Sequence, residues 1–113
     1  MDKLYQDAFI LHDLLLDTSQ YKRLKEIEKK MLDDKIASSL ISKYQELVEK
    51  YGTDKSQNNL KLMHQAKLEM DQNELVIEYK KAYKEYQILL SNITDIVFKD
   101  IIKKSKYEQI INL

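Results

Sequence analysis

The stretch DKSQNNLKLMHQ, residues 54–65, is the part of this chain that most resembles a metal-binding motif. The first three oxygen-ligand positions of a calcium loop are filled by Asp54, Ser56 and Asn58. The sixth position is Asn59, where such a loop needs glycine, and the twelfth is Gln65, where it needs a bidentate glutamate. A polar surface turn fits the stretch better, so no metal site is predicted.

Catalysis would require an activated nucleophile, a general base or a phosphate-binding loop. Neither histidine, His12 or His64, has a second ligand or acid three or four residues away on its helical face. The single glycine, Gly52, cannot form a phosphate or dinucleotide loop. The closely spaced acids are better explained by helix caps and solvated faces, and they are Asp13, Asp17, Glu74 and Glu78. We therefore predict no catalytic or cofactor-binding residues, no cofactor and no small-molecule substrate, and do not expect an enzyme.

The sequence EYKKAYKEY, residues 78–86, is the strongest candidate for contact with nucleic acid, because tyrosine rings can stack on bases and lysines can bind phosphates. The residues of this possible RNA-binding or partner-binding face are Tyr79, Lys80, Lys81, Tyr83 and Lys84. Tyr79 and Tyr86 also lie on an apolar helical seam, where packing with the hydroxyls at a wet edge is the interpretation we favour. The 19 Lys and Arg balance 19 Asp and Glu, whereas nucleic-acid modules usually carry a basic excess.

A second charged stretch, YKRLKEIEKKMLDD at residues 21–34, raises the same choice between RNA binding and solvation. Its charges mostly alternate in sign, and Glu26 precedes Lys30 by four residues, the favourable order on a helix. Apolar residues at Tyr21, Leu24 and Met31 follow an inward seam. We interpret the stretch as the solvated outer surface of a helix.

These stretches must be positioned by helices, because the chain has one glycine and no proline. The 113 residues and 43% hydrophobic composition suit a single all-α domain, residues 1–113. The chain has no cysteine for disulfides or thiolate sites, no signal-peptide core near its start and no apolar run of the ~20 residues that span a bilayer. We expect a cytoplasmic protein without a membrane span.

Apolar periodicity divides the chain into about five helices, which we predict form an antiparallel bundle. The expected order is three helices in 1–51, a loop at 52–59, a short helix at 60–71, a long helix at 73–104 and a tail at 105–113. One face of the first helix should be buried, and its residues are Leu4, Ala8, Leu11 and Leu15. The expected N-caps are Asp17, Asp33 or Asp34, and Asp71, and the third helix should end at Gly52.

The last helix carries an unbroken alternation of apolar residues at spacings of four and three, from Leu75 to Ile96. Over 73–104 it would be ~45 Å long, roughly twice the length of its neighbours, so no single helix could cover it. We therefore predict a homodimer. The expected interface residues are Leu89, Ile93, Ile96, Val97, Phe98 and Ile101.

Residues 4–102 resemble the YlbF/YmcA family of small helical bacterial proteins, which includes uncharacterised YheA-like members. The residues that carry the resemblance are Ser19 to Tyr21, Leu24, Lys25, Glu28, Asp33, Asp34, Tyr44, Leu47, Ile93, Ile96, Val97 and Phe98. The resemblance implies an all-helical, usually dimeric protein without catalytic residues. For some members it implies accessory regulation of messenger-RNA processing by a membrane-associated endoribonuclease, affecting competence, sporulation and biofilm formation.

This chain departs from the family in one respect, since some regulatory members carry cysteines that help to hold iron–sulfur clusters and this chain has none. Two functional classes remain. The first, which we favour, is a regulator or scaffold that binds other proteins. The second is a direct RNA-binding module that uses the face at residues 79–86.

Overall fold

The computed structural model describes residues 2–101 and places 87% of them in five helices, with no strand among them. The helices are α1 (Lys3–Leu16), α2 (Ser19–Asp33), α3 (Lys35–Thr53), α4 (Gln57–Asp71) and α5 (Glu74–Val97). The prediction of an all-α fold is confirmed.

Four of the helices form two antiparallel pairs, with α2 against α5 and α3 against α4. The rings of Tyr21 and Tyr86 lie 5.6 Å apart between α2 and α5, and Arg23 Nη1 lies 3.7 Å from Glu85 Oε2. In the described part of the chain, smaller contacts join α1 to α2, α2 to α3 and α4 to α5, which are helices that follow each other directly in sequence. The segment formed by α2 and α3 thus lies alongside the segment formed by α4 and α5. Along these four helices the molecule is about two helices thick.

The core lies along α2 and α5 and at the point where the α2/α5 pair meets the α3/α4 pair. Leu24, Ile27 and Ala82 form one buried cluster, with Tyr79 and Tyr86 packed against it. A second cluster, of Met31, Ala37 and Val76, joins α2, α3 and α5, with Ile41, Met70, Leu75 and Tyr79 packed around it. A structure two helices thick has little interior, so most apolar seam residues of α3 and α4 remain half-buried.

The first helix is not buried as expected. Leu4 and Ala8 are exposed, Leu11 and Leu15 are half-buried, and no described residue of α1 is buried. The main contact of α1 is with α2, because the turn between them directs α1 away from the rest of the molecule.

The N-cap of α2 is Thr18, so the prediction of Asp17 is wrong. The Tyr21 N–H donates a hydrogen bond to Thr18 Oγ1 at 3.2 Å. Asp17 still has a helical backbone and ends α1, whereas Thr18 is extended, the conformation that an N-cap needs. Asp34 is the cap of α3, because its Oδ1 accepts a hydrogen bond from the Ala37 N–H at 2.8 Å.

The N-cap of α5 is Asn73, whereas Asp71 was expected. Asn73 Oδ1 accepts hydrogen bonds from the Leu75 and Val76 N–H groups at 3.0 and 3.2 Å. Asp71 is the last residue of α4 and its carboxylate pairs with Lys80. The chain leaves the helical path only at the turn after Asp71, so the aspartate is too early to cap α5.

The loop expected at 52–59 is reduced to residues 54–56. Helix α3 continues through Gly52 to Thr53, and Gly52 does not adopt the positive φ of a terminating glycine. Ser56 caps α4, whose 15 residues equal the length of α2, so α4 is not a particularly short helix. Asn59 is buried and donates from Nδ2 to the Asp54 carbonyl at 2.9 Å, which holds the tight connection together.

Helix α5 is the longest described helix, but it ends at Val97 rather than Lys104. Its 24 residues span about 36 Å, compared with 19 residues in α3, so it is not twice as long as every neighbour. The chain turns after Val97, and Asp100 has φ 63°, a left-handed conformation that aspartate tolerates. The rest of the expected helix, residues 102–104, and the expected tail at 105–113 lie outside the described residues.

Candidate interaction surfaces

The six residues of the expected dimer interface lie at one end of the α2/α5 pair. We call this set, Leu89, Ile93, Ile96, Val97, Phe98 and Ile101, the α5 strip. Leu89 and Ile93 are half-buried, whereas the other four are exposed, with Ile96 71% and Ile101 74% exposed. The register set by Tyr21 and Tyr86 puts the start of α2 opposite about residue 88. The strip therefore extends past α2, so α2 does not cover its four exposed residues.

A second apolar surface covers α1, and the sequence interpretation missed it. We call it the α1 surface, and its exposed members are Leu4, Tyr5, Phe9, Ile10, Leu14 and Leu16. Several of them lie outside the seam that was expected to be buried. That distribution was the available signal, because a helix that is apolar on most faces needs partners on more than one side.

The tyrosines of the possible RNA-binding face are used mainly in packing. Tyr79 contacts both core clusters, and burial is the main cause that raises the pKa of its hydroxyl. Its ring stacks on that of Tyr83, with 6.1 Å between the centroids and 24° between the planes. Tyr83 itself is 45% exposed, so one ring of this face remains accessible to a ligand.

The lysines of the same face differ in their ion pairing. Lys80 pairs with Asp71, and the neighbouring Glu85 lies near Arg23 of α2. Lys81 and Lys84 are exposed, and no ion pair of either is found within residues 2–101. Two exposed lysines and one accessible ring thus remain at this face.

The charged stretch at residues 21–34 forms the outer surface of α2, as predicted. Leu24, Ile27 and Met31 are buried, whereas its lysines and its arginine are exposed. Lys25 Nζ lies 3.4 Å from Glu28 Oε1, and this contact raises the pKa of the lysine. Lys30 also pairs with Glu26 along the helix, and this exposed, mixed-charge surface suits contact with water.

The groups considered for metal binding or catalysis do not form a cluster. Within residues 2–101, no three His, Cys, Asp or Glu side chains are placed to hold a metal ion together. His12 Nδ1 lies 3.1 Å from Asp13 Oδ1 on the exposed surface of α1. His64 is exposed on α4, and Ser56 and Asn59 of the calcium-like stretch serve to cap and brace that helix.

One small apolar cavity, of about 210 Å³, lies where the α2/α5 pair meets the α3/α4 pair. Its lining residues are Met31, Ile41, Met70, Val76, Tyr79 and Lys80. The cavity is lined mainly by residues of the second core cluster and its packed neighbours. It results from the incomplete burial of that cluster by two layers of helices. None of the described helices combines the length and the apolar character that a membrane crossing requires.

Comparison with known proteins identifies the family of this chain. A family model described as control of competence regulator ComK, YlbF/YmcA, matches residues 4–102. No curated protein and no solved structure gives a significant match. The matched range includes all five helices except the first residue of α1. The chain therefore belongs to the YlbF/YmcA family.

Proposed function

We propose that this protein is a non-enzymatic regulator that acts as a homodimer through protein–protein contacts. Its family is described by control of a competence regulator, which is a regulatory role rather than a catalytic one. The observation that carries the proposal is the exposed α5 strip. Large apolar side chains that remain together at the surface of a single chain are typical of a protein-binding site.

The architecture supports self-association for a second reason. A pair of helices has one buried seam and leaves the flanks of that seam in contact with water, as the half-buried residues of this molecule do. Two such pairs packed together make a four-helix cross-section, in which the flanks that face the other pair also become interior. A twofold dimer would also present two copies of each site for other regulators.

The process that we propose this regulator serves is bacterial RNA processing connected with competence, sporulation and biofilm formation. In the native cell, Ile96→Glu should reproduce the phenotype of a gene deletion if the dimer is the working form. Ile36 has nearly the same exposure, 69%, but lies on α3, so Ile36→Glu is the matched control and should leave the phenotype unchanged. A normal phenotype for Ile96→Glu, at normal protein levels, would contradict the proposal.

Direct RNA binding is the second candidate function, and the accessible ring of Tyr83 beside Lys81 and Lys84 favours it. Binding through these lysines should weaken steeply with added salt, because it would release counterions from the RNA. We expect no such binding in a gel-shift series at several salt concentrations, because the net charge is zero.

The RNA test has a matched control on α2. A salt-sensitive complex at micromolar protein, lost in Lys81→Glu with Lys84→Glu but kept in Lys29→Glu with Lys30→Glu, would establish the RNA-binding function instead. Both double variants change the net charge equally, so only the location of the charges differs. Equal loss of binding in both variants would indicate non-specific attraction.

A further inference from the structure

Two apolar surfaces that the described helices leave largely exposed lie at the same end of this molecule. The α5 strip extends past the start of α2, and α1 leaves α2 from that same start. The α1 surface includes Phe9, which is 60% exposed, and no described residue of α1 is buried. Although α1 leaves α2 beside the strip, it thus does not cover the strip's exposed residues.

The turn between α1 and α2 is held by several interactions. Thr18 Oγ1 donates to the Leu15 carbonyl at 2.8 Å and accepts from the Tyr21 N–H at 3.2 Å. Lys22 Nζ lies 2.9 Å from Asp17 Oδ1 across the turn, and this contact lowers the pKa of the aspartate. To reach the strip of its own chain, α1 would have to swing about this turn and break these interactions.

The exposed apolar area is large enough for a dimer. The α1 surface and the exposed part of the strip contribute ten large side chains, which are 39–74% exposed. At about 100 Å² each, a typical value for such side chains, they provide at most roughly 1,000 Å² per chain, because the members of the α1 surface lie on more than one side of the helix. A standard stable interface buries about 800 Å² on each partner, so the two surfaces together meet that requirement.

We propose that α1 of one copy packs on the α5 strip of a second copy, and that the exchange is reciprocal. This inference rests on the proposed homodimer and specifies which elements form it. A reciprocal exchange uses two different surfaces of each chain and closes under one twofold axis, so neither of these two surfaces is left to recruit a third copy. The turn at Asp17 and Thr18 keeps its interactions, and both uncovered surfaces are buried at once.

The natural absence of cysteine allows a direct test by cross-linking. Phe9→Cys in one copy and Ile96→Cys in the other are co-expressed with tags of different size and treated with a flexible bismaleimide, which does not require an assumed register. We expect a product that carries both tags. Residues held together react at an effective concentration in the millimolar range, so this product should form on the order of 100-fold faster than between unassociated micromolar chains.

The control replaces Phe9→Cys with Lys29→Cys, on the solvated face of α2, and should give only the slow background reaction. Equal rates for Phe9→Cys and Lys29→Cys, together with a light-scattering mass of two chains, would overturn the exchange of α1 while leaving the homodimer intact. A mass of one chain would remove both proposals. A further variant carries Phe9→Cys and Ile96→Cys in the same chain. Its rapid cross-linking within a single chain, at the mass of one chain, would place α1 on its own strip and also overturn the inference.

Discussion

Replacing Ile96 with glutamate should separate dimer formation from folding. Ile96 is 71% exposed in the single chain, so its side chain contributes little to the fold itself. Substitutions of exposed residues usually change the free energy of unfolding by less than about 0.5 kcal/mol. A negative charge near the carboxyl end of α5 lowers this free energy by a further few tenths of a kcal/mol, because it interacts unfavourably with the helix dipole. The isolated chain should therefore remain helical and nearly as stable.

The dimer should be weakened much more. Complete burial of an isoleucine is worth about 1.5–3 kcal/mol, so burial of the exposed 71% of Ile96 would contribute about 1–2 kcal/mol in each copy. A twofold interface loses this contribution twice, which is about 2–4 kcal/mol and corresponds to a roughly 30- to 1,000-fold rise in Kd. The unpaired carboxylate adds a desolvation penalty to this loss.

Sedimentation equilibrium over a range of concentrations would measure the change, with circular dichroism to verify that the variant is helical. The control is Ile36→Glu, which has the same chemistry and an exposure of 69% but lies on α3. We expect Ile36→Glu to keep the Kd of the natural chain. A helical Ile96→Glu variant with an unchanged Kd, or an equal loss in both variants, would refute the assignment of the interface to the α5 strip.

Three further predictions concern the caps, the glycine and one ion pair. Asn73→Ala should cost about 1 kcal/mol of unfolding free energy in urea titrations, because it removes the α5 cap, and Asp71→Ala should cost less. An equal cost would contradict the assigned cap. Gly52→Ala should stabilise the chain by about 0.5–1 kcal/mol, since Gly52 is helical and no atom lies within 4 Å of an added Cβ; destabilisation would exclude this geometry. Lys22 lowers the Asp17 pKa, so the stabilisation by this pair exists above the ordinary carboxyl range and disappears as pH falls through the lowered pKa. An NMR titration should show that pKa rise in Lys22→Ala, and no rise would remove the pair as its cause.

Apolar periodicity predicted the helices well because it is a local property. The seam residues of α2 and α5, such as Leu24, Ile27 and Ala82, are buried where the two helices meet. The members of the α5 strip inside the helix were also identified by their spacing. Ile96 and Val97 could be placed on one face from the sequence, although their exposure depends on where α2 begins.

The helix ends were less predictable because adjacent residues compete for the same role. Aspartate, threonine and asparagine can all cap a helix, so Asp17 and Thr18, or Asp71 and Asn73, differ only in where the backbone becomes extended. The end of α5 carries no glycine or proline between residues 98 and 101, so the sequence offers no conventional stop signal.

The α1 surface could not be placed from periodicity, because its environment depends on the direction that the turn at Thr18 imposes. A helix with apolar residues on several faces needs partners, but the pattern does not say whether they come from the same chain. The half-buried seams of α3 and α4 have the same origin. Both depend on the tertiary structure rather than on any one helix.

The mass of the natural protein in solution tests the central claim most directly. One chain has a mass of 13.5 kDa, so a homodimer has twice that mass, about 27 kDa, a value fixed by its two-chain stoichiometry. Light scattering during size-exclusion chromatography should give the two-chain mass at concentrations well above micromolar and a decrease towards one chain on dilution. A mass of one chain throughout that range would contradict the account.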